Sequence, residues 1–331
     1  MKYVLAPLAG FTDAPFRRLC HEGGADLVYT EMVSAAGLAH GSSPTRHLME
    51  TMPGEGPVAV QLFGAKEDEL ALSVREMEGF SEINLNAGCP MTKVTRCGAG
   101  AKLVEDPEKI RRLLKAMTEN TDIPVTLKTR LGPHPQKTNI FEILDAAEKA
   151  GAKGITVHAR YTSQMHGGPV HLDRLKEVVT KSKLPVTGNG SVVDARTAAA
   201  MAETGVSAIM IGRAALAEPG IFGRLKGREE GLDGLRGLEG FEGLEKLDDS
   251  ARLCLRHLKY LLDFRKQLVQ KFPHDHIPGE DGYASVKMHV HLFRYFSGKP
   301  GAAALRARLN SVRTLTEIFD IISAYGTGRI I

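Results

Sequence analysis

Long apolar runs are absent from this sequence of 331 residues. No segment approaches the roughly 18 consecutive apolar residues that a membrane-spanning helix needs. The start, Met1-Lys2-Tyr3, also lacks the apolar stretch of a secretory signal. We therefore expect a cytoplasmic protein without a membrane span.

Cysteine is scarce as well. The four cysteines stand at unrelated spacings and form no Cys-x-x-Cys pair: Cys20, Cys89, Cys97 and Cys254. These spacings do not match a disulfide framework. We expect free thiols and no bound metal.

A strong charge imbalance is also missing, because the formal net charge is only +4. The basic residues are nevertheless clustered. Residues 285–316 contain six Lys or Arg and no Asp or Glu, and residues 251–271 contain six against the single acid Asp263. Such a clustered basic face is typical of proteins that bind a phosphate-rich partner; a solvated helix surface is the alternative.

Eight short apolar runs, most of them rich in Val, Ile and Leu, alternate with segments of helical period. They occupy residues 3–8, 25–31, 57–63, 82–86, 124–130, 154–160, 185–190 and 206–213. Alternation of this kind predicts a parallel sheet with helical crossovers. Eight such units predict a closed (β/α)8 TIM barrel, an α/β fold whose reactive residues gather where the strands end.

The rest of the chain predicts a second, smaller unit. Glycine recurs every three or four residues from 227 to 243, which makes a stable helix costly there. Beyond it, leucines recur at helical spacing. We predict a barrel domain over 1–226, a Gly-rich linker over 227–248 and an all-α helical-bundle domain over 249–331.

Two Gly-containing strand ends predict a phosphate site on the barrel rim. Gly188-Asn189-Gly190-Ser191 precedes a helix that begins near Asp194, and Gly212-Arg213 ends the last strand. Backbone N–H groups and a guanidinium can converge there on one anion. Two ordinary tight turns are the alternative.

Other polar side chains close neighbouring strands. Lys128 and His158 are placed to stabilise negative charge on a cofactor ring or a substrate, although a rim ion pair and a structural histidine are the alternatives. Gln61 needs a hydrogen-bonding partner inside a barrel, either a cofactor edge or a neighbouring side chain.

Cys89 stands on a tight turn between Gly88 and Pro90, directly after a strand. A thiol is mostly protonated at neutral pH, so it can act as a general acid. The nucleophilic interpretation needs a nearby base, which the sequence does not place. A small buried apolar residue is the structural alternative.

Several motifs resemble, in order along the chain, those of the tRNA-dihydrouridine synthases. They are Ala6-Pro7-Leu8-Ala9-Gly10, Gln61-Leu62-Phe63-Gly64, Asn86-Ala87-Gly88-Cys89-Pro90, Lys128-Thr129-Arg130, His158-Ala159-Arg160, Gly188-Asn189-Gly190 and Gly212-Arg213. In the tail, Gly298-Lys299-Pro300-Gly301 and Leu305-Arg306-Ala307-Arg308 resemble the family's helical RNA-binding domain. The resemblance implies FMN as cofactor, NADPH as hydride donor, and reduction of a uridine in tRNA.

The resemblance also implies residue roles. Cys89 would donate the proton to C5 of uracil. The FMN-binding residues would be Pro7, Leu8, Ala9, Gln61, Lys128, His158, Asn189, Gly190, Ser191, Gly212 and Arg213. Asn86, Arg130 and Arg160 would orient the base. Ala159 and Tyr161, on either side of Arg160, depart from the residues that the family often has, Gly and Thr.

Two other classes of protein remain open. A flavin barrel that acts on a small molecule, similar to dihydroorotate dehydrogenase, would share the phosphate turns but would not need a basic helical tail. A purely RNA-binding protein would not need Cys89, Lys128 and the phosphate turns together. We expect tRNA as the partner and a monomer.

Overall fold

The structure, a computed structural model, describes residues 1–228, 247–298, 301–309 and 311–327. Most of the Gly-rich linker predicted for 227–248 lies outside these residues, as do Lys299 and the side chain of Arg306.

Eight parallel strands form a single sheet. Their bounds are β1 (Lys2–Leu5), β2 (Val28–Ser34), β3 (Val58–Phe63), β4 (Glu82–Ala87), β5 (Val125–Arg130), β6 (Ile155–His158), β7 (Val186–Asn189) and β8 (Ala208–Ile211). All eight predicted runs therefore contain a strand. Arg160 and Arg213, which the runs included, lie just beyond β6 and β8.

The sheet closes into a barrel. Its strand order is β1-β8-β7-β6-β5-β4-β3-β2, with Leu5 of β1 opposite Ile211 of β8. At the other edge, Val4 forms a parallel bridge with Leu27, and the Leu5 amide donates to the Leu27 carbonyl at 2.9 Å. The predicted (β/α)8 fold is confirmed.

Helices connect the strands and cover the sheet. Within the barrel they are α1 (Ala14–Glu22), α2 (Ala35–Ala39), α3 (Ser43–His47), α4 (Glu67–Arg75), α5 (Thr92–Thr95), α6 (Pro107–Thr118), α7 (Ile140–Lys149), α8 (Leu172–Lys181), α9 (Ala195–Ala202), α10 (Arg213–Ala217) and α11 (Ile221–Leu225). Short 3-10 helices cover Gly100–Glu105 and Thr162–Gln164.

Helix α6 illustrates why these segments are helical. The Asp106 side chain accepts from the Lys109 amide at 2.9 Å and caps a helix that begins with Pro107. Apolar residues then recur at helical spacing and are buried, from Ile110 to Met117.

Strand residues alternate between two environments. One set packs against the helix layer, as Leu85 and Leu127 do. The other set faces the barrel interior, which is apolar where Val4 and Met210 pack together and polar near Asn84 and Asn86. The polar part of the interior leads to the rim.

In the part of the chain that the structure describes, four further helices follow the barrel: α12 (Asp249–Lys271), α13 (Glu280–Tyr295), α14 (Ala302–Leu309) and α15 (Leu315–Gly326). Their shared apolar core also contains Ala14 and Leu19 of α1, and the Tyr260 hydroxyl donates to Glu22 at 2.9 Å. The predicted C-terminal helical region is therefore present and packs against α1. Among the described helices, none has the length and apolarity to span a membrane.

Candidate active site

The predicted site residues lie at the carboxyl ends of the strands. Because all eight strands are parallel, these ends form one rim. In chain order the rim contains Pro7, Leu8 and Ala9 after β1, Gln61 in β3, Asn86 in β4, Cys89 beyond it, Lys128 and Arg130 in β5, His158 in β6, Asn189 in β7, and Gly212 after β8. The fold thus brings the predicted residues to one end of the barrel.

The loop that carries Cys89 is fixed from both sides. The Asn86 Oδ1 accepts from the Gly88 amide at 3.0 Å and from the Cys89 amide at 2.9 Å. Arg130 Nε donates to the Gly88 carbonyl at 2.7 Å, and the Cys89 carbonyl accepts from the Ala101 amide at 2.8 Å. The half-buried Cys89 is therefore held in place by its backbone.

A chain of amide side chains supports Asn86 from inside the barrel. Asn86 Nδ2 donates to Gln61 Oε1, Gln61 Nε2 donates to Asn84 Oδ1, and Asn84 Nδ2 donates to Thr126 Oγ1, each at 2.7 Å. Gln61 and Asn84 are fully buried. The partners of Gln61 here are neighbouring side chains, and its contact with a flavin stays a prediction.

Asn84 was missed by the sequence reasoning, although a signal was present. It is polar between Ile83 and Leu85, which pack on the helix layer. In a strand, alternate residues face opposite sides, so a polar residue at this position must face the barrel interior with Asn86.

Four cations surround the barrel mouth: Lys128, Arg130, Arg160 and Arg213. None of them forms an ion pair with a carboxylate among the residues that the structure describes. Burial, and then the charge of Arg130, lowers the pKa of Lys128 to about 7. Burial also lowers the pKa of Arg130 to about 10. Positive charge is thus concentrated at the rim.

Two histidines lie within this positive field. Burial, followed by the charge of Lys128, lowers the pKa of His158 far below its ordinary value. The His166 ring is stacked 6.4 Å from the His158 ring, and burial and Arg130 lower its pKa too. His166 lies in the loop after β6 and was not predicted. Both imidazoles are therefore neutral at physiological pH.

The turn after β7 has an unusual backbone conformation. Gly190 has φ 142°, and a Cβ there would lie 3.2 Å from Val170 Cγ1. Ser191 has φ 51°, which is unusual for a residue with a side chain. Lys128 Nζ donates to Asn189 Oδ1 at 3.1 Å, and Asn189 Nδ2 donates to the Met210 carbonyl at 2.9 Å. Lys128 and the β7 turn are thus linked directly.

Arg160 and Arg213 lie on the β7–β8 side of the rim. Arg160 Nη2 donates to Ser191 Oγ at 2.7 Å and to the Gly168 carbonyl at 2.9 Å. The exposed Arg213 donates to the His166 carbonyl at 3.3 Å. Arg160 is thus bound to the predicted phosphate turn, and its contact with a base stays a prediction.

The apolar end of β1 adjoins the turn after β8. The Ala6 amide donates to the Ile211 carbonyl at 2.8 Å. A Cβ on Gly212 would lie 3.7 Å from Leu8 Cδ2. Pro7 and Leu8 are half-buried and Ala9 is exposed. An apolar surface therefore lies beside Gly212.

Many basic residues of the C-terminal helices form ion pairs with acidic residues of the protein itself. Four of the six in 251–271 pair with acids: Arg252 with Asp249, Arg256 with Glu22, Lys259 with Asp263 and Lys271 with Glu50. The number of basic residues in α12 therefore overestimates the positive charge that is available to bind a partner.

The fold and the rim define a (β/α)8 enzyme with a fixed thiol beside concentrated positive charge. The family profile described as "Dihydrouridine synthase (Dus)" matches residues 4–324. The chain is 37% identical over 327 residues to tRNA-dihydrouridine synthase B of Klebsiella pneumoniae, covering 98% of this chain and 95% of that protein. It is 31% identical over 327 residues to tRNA-dihydrouridine synthase B of Escherichia coli (strain K12), with the same coverage. The chain therefore belongs to the dihydrouridine synthase family and is an oxidoreductase.

Proposed function

We propose that this protein reduces the C5–C6 bond of a uridine in tRNA to 5,6-dihydrouridine, with FMN as cofactor and NADPH as hydride donor. One observation carries the proposal: Asn86 and Arg130 fix the Cys89 loop at a rim rich in positive charge. The names of the relatives, tRNA-dihydrouridine synthase B, support tRNA as the substrate.

The rim residues fit the chemistry of FMN. Arg130 and Arg160 are buried and have no carboxylate partner among the described residues, which favours a bound anion, since buried charge needs compensation. The positive φ of Gly190 and the space limit around it suit a backbone that approaches a ligand closely. The phosphate would be held by Asn189, Gly190, Ser191, Gly212 and Arg213. The ring would contact Pro7, Leu8, Ala9, Gln61, Lys128 and His158.

FMN, when bound, supplies the hydride that reaches C6 of uracil. Cys89 Sγ donates the proton that C5 gains, and the sulfur becomes a thiolate. Lys128 and Arg130 both interact favourably with negative charge on Cys89, so they stabilise the thiolate that remains. The fixed loop keeps Sγ in position for this transfer.

The base must leave the RNA stack to enter the barrel mouth. Asn86, Arg130 and Arg160 would orient it. In the free protein Arg130 uses Nε and Nη1 for the Gly88 and Tyr161 carbonyls, which leaves Nη2 as a donor for the base. Arg130 would then hold the Cys89 loop and the substrate together.

The decisive experiment measures the mass of the RNA. Full-length protein supplied with FMN and NADPH should add two hydrogens to a uridine of an unmodified tRNA transcript. Protein without NADPH is the control. If NADPH reduces the bound flavin but the tRNA mass does not change, the small-molecule alternative replaces the proposal. If the purified protein takes up no flavin, both the proposed function and the small-molecule alternative are wrong.

A further inference from the structure

Three buried side chains with metal-ligating atoms meet between the barrel and the C-terminal helices. Asp13 caps α1, His257 belongs to α12 and His291 belongs to α13. They are at most 7% exposed, and their ligand atoms lie within 4.8 Å of one another. None of the three belongs to the candidate active site.

Two nitrogens of this cluster have no hydrogen-bonding partner among the described residues. His257 Nε2 and His291 Nδ1 are buried and make no hydrogen bond within the described part of the chain. Leaving such an atom unsatisfied is unfavourable, because it has lost its hydrogen bonds to water and gained none in the protein. An unexplained pair of this kind, 4.4 Å apart as measured between ring centroids, points to a ligand that both rings share.

The surroundings of His257 allow the tautomer that a metal requires. Its Nδ1 lies 2.9 Å from the Tyr295 hydroxyl. When Nδ1 donates to that oxygen, Nε2 keeps its lone pair and can coordinate. Metal-binding histidines commonly donate their other ring N–H in this way. Asp13 is also oriented from outside, because its Oδ1 accepts from the Phe16 amide at 3.2 Å.

We propose that Asp13, His257 and His291 bind one divalent ion of the Zn²⁺ type, which joins α1 of the barrel to α12 and α13. Two imidazoles and a carboxylate form a donor set that suits Zn²⁺, with water as the fourth ligand. Two atoms bound to zinc at about 2.1 Å lie at most about 4.2 Å apart. In the tetrahedral geometry of zinc the separation is about 3.4 Å, so ligand atoms that now lie up to 4.8 Å apart must approach one another by as much as about 1.4 Å when the ion binds.

Lys287 is the competitor for this site. Its Nζ lies 3.5 Å from Asp13 Oδ2, and it also interacts with Glu31. In the metal-free protein this ammonium balances the charge of Asp13. A divalent ion must share Asp13 with Lys287 or displace it, so Lys287 weakens metal binding by electrostatic repulsion. Removing Lys287 should therefore strengthen metal binding, whereas removing one of the proposed ligands should weaken it.

The experiment uses the full-length protein, stripped with a chelator and titrated with Zn²⁺ or Co²⁺ alone. We expect one ion per chain by elemental analysis and a higher Tm with Zn²⁺. Co²⁺ should give the visible absorption of a tetrahedral site without the intense thiolate band that a cysteine site would add. That absence separates this site from any binding at Cys89 or Cys97.

Variants assign the ligands. His257→Gln and His291→Gln should each lose the ion, and Tyr295→Phe should weaken its binding about tenfold through the lost partner of His257. His289→Gln, on the same helix as His291, is the matched control and should bind as the wild type does. Lys287→Met should bind Zn²⁺ more tightly.

Three results would overturn the proposal. The first is a wild-type protein that takes up neither Zn²⁺ nor Co²⁺, which would leave a water molecule as the shared partner of the two rings. The second is metal uptake that survives both His257→Gln and His291→Gln. The third is a Lys287→Met variant whose affinity for Zn²⁺ is lower than that of the wild type.

Discussion

Two regions of this protein differ in whether their cations are paired with acidic residues. At the barrel rim, Lys128, Arg130, Arg160 and Arg213 have no carboxylate partner in the described ranges. Around α1, where the barrel meets the C-terminal helices, cations are paired with acids. These pairs are Arg17 with Glu55 at 2.6 Å, Arg256 with Glu22 at 3.3 Å and Lys287 with Asp13 at 3.5 Å.

The difference distinguishes cations that are available to bind an anionic ligand from cations that stabilise the fold by pairing with acidic residues. Around α1 each buried cation is compensated by the protein itself, so removing one partner leaves an isolated charge. At the rim, burial and then a neighbouring cation lower the pKa of Lys128 and of Arg160, and an anionic ligand would relieve that repulsion. Rim substitutions should therefore change function, and substitutions around α1 should change stability.

The largest effect should follow from Cys89→Ala at the rim. We expect dihydrouridine formation to slow about a hundred- to ten-thousand-fold, because a general acid contributes that much. FMN content and flavin bleaching by NADPH should be retained, and the free energy of unfolding should change by less than about 1 kcal/mol. Tritium or mass analysis of the tRNA follows the chemistry. A variant that reduces tRNA at the wild-type rate would show that the proton comes from elsewhere.

Arg17→Met should have the largest effect on stability. Arg17 and Glu55 are at most 2% exposed, and the substitution leaves the Glu55 carboxylate buried without its cation. We expect the free energy of unfolding to fall by about 3–5 kcal/mol in a urea titration. Adding Glu55→Gln should restore part of the loss. If the single and double variants are equally unstable, the buried charge is not the cause.

FMN affinity should depend on pH through Lys128. Burial lowers the pKa of Lys128 from 10.5 in the unfolded chain to about 7. Above pH 7 the unfolded state holds more protons, so the Lys128 contribution to the free energy of unfolding rises with pH. FMN bound beside Lys128, as proposed, would favour its charged form, and FMN affinity should therefore fall between about pH 7 and 9, by up to about tenfold per pH unit.

Fluorescence titration of FMN at several pH values measures this slope. Lys128→Met should bind FMN more weakly and with a flatter pH dependence, whereas Lys128→Arg should also flatten the slope but keep more of the affinity. An unchanged slope in Lys128→Met would place the titrating group elsewhere.

The smallest effect should come from an exposed ion pair, which serves as the reference for the other variants. Arg111 Nη2 lies 2.6 Å from Glu108 Oε1 on the surface of α6. Arg111→Met should leave the free energy of unfolding nearly unchanged, because solvent screens an exposed pair, and should leave FMN binding unchanged. A loss comparable to that of Arg17→Met would mean that burial does not distinguish the two pairs.

Local sequence patterns were sufficient to predict the eight strands, the helix that begins after Asp194 and the rim at which the strand ends meet. Each depends on residues close in sequence, such as the alternation within β4 or the Asp194 side chain that accepts from the Thr197 amide at 2.7 Å. The partners of the rim residues could not be predicted in this way. Gln61 and Asn86, for example, are 25 positions apart and meet only because β3 and β4 pair in one register.

Periodicity and strand-end chemistry are local, so they were enough to predict the barrel, the helical tail and most of the residues that lie at the rim. The distribution of charge could not be predicted in this way, because it depends on the tertiary structure. The tertiary structure paired most basic residues of α12 with acids and left the rim cations without acidic partners among the described residues. It also brought Asp13 beside His257 and His291, which are more than 240 positions away along the chain. A charge count does not contain such contacts, because electrostatic energy depends on distance in space and on burial.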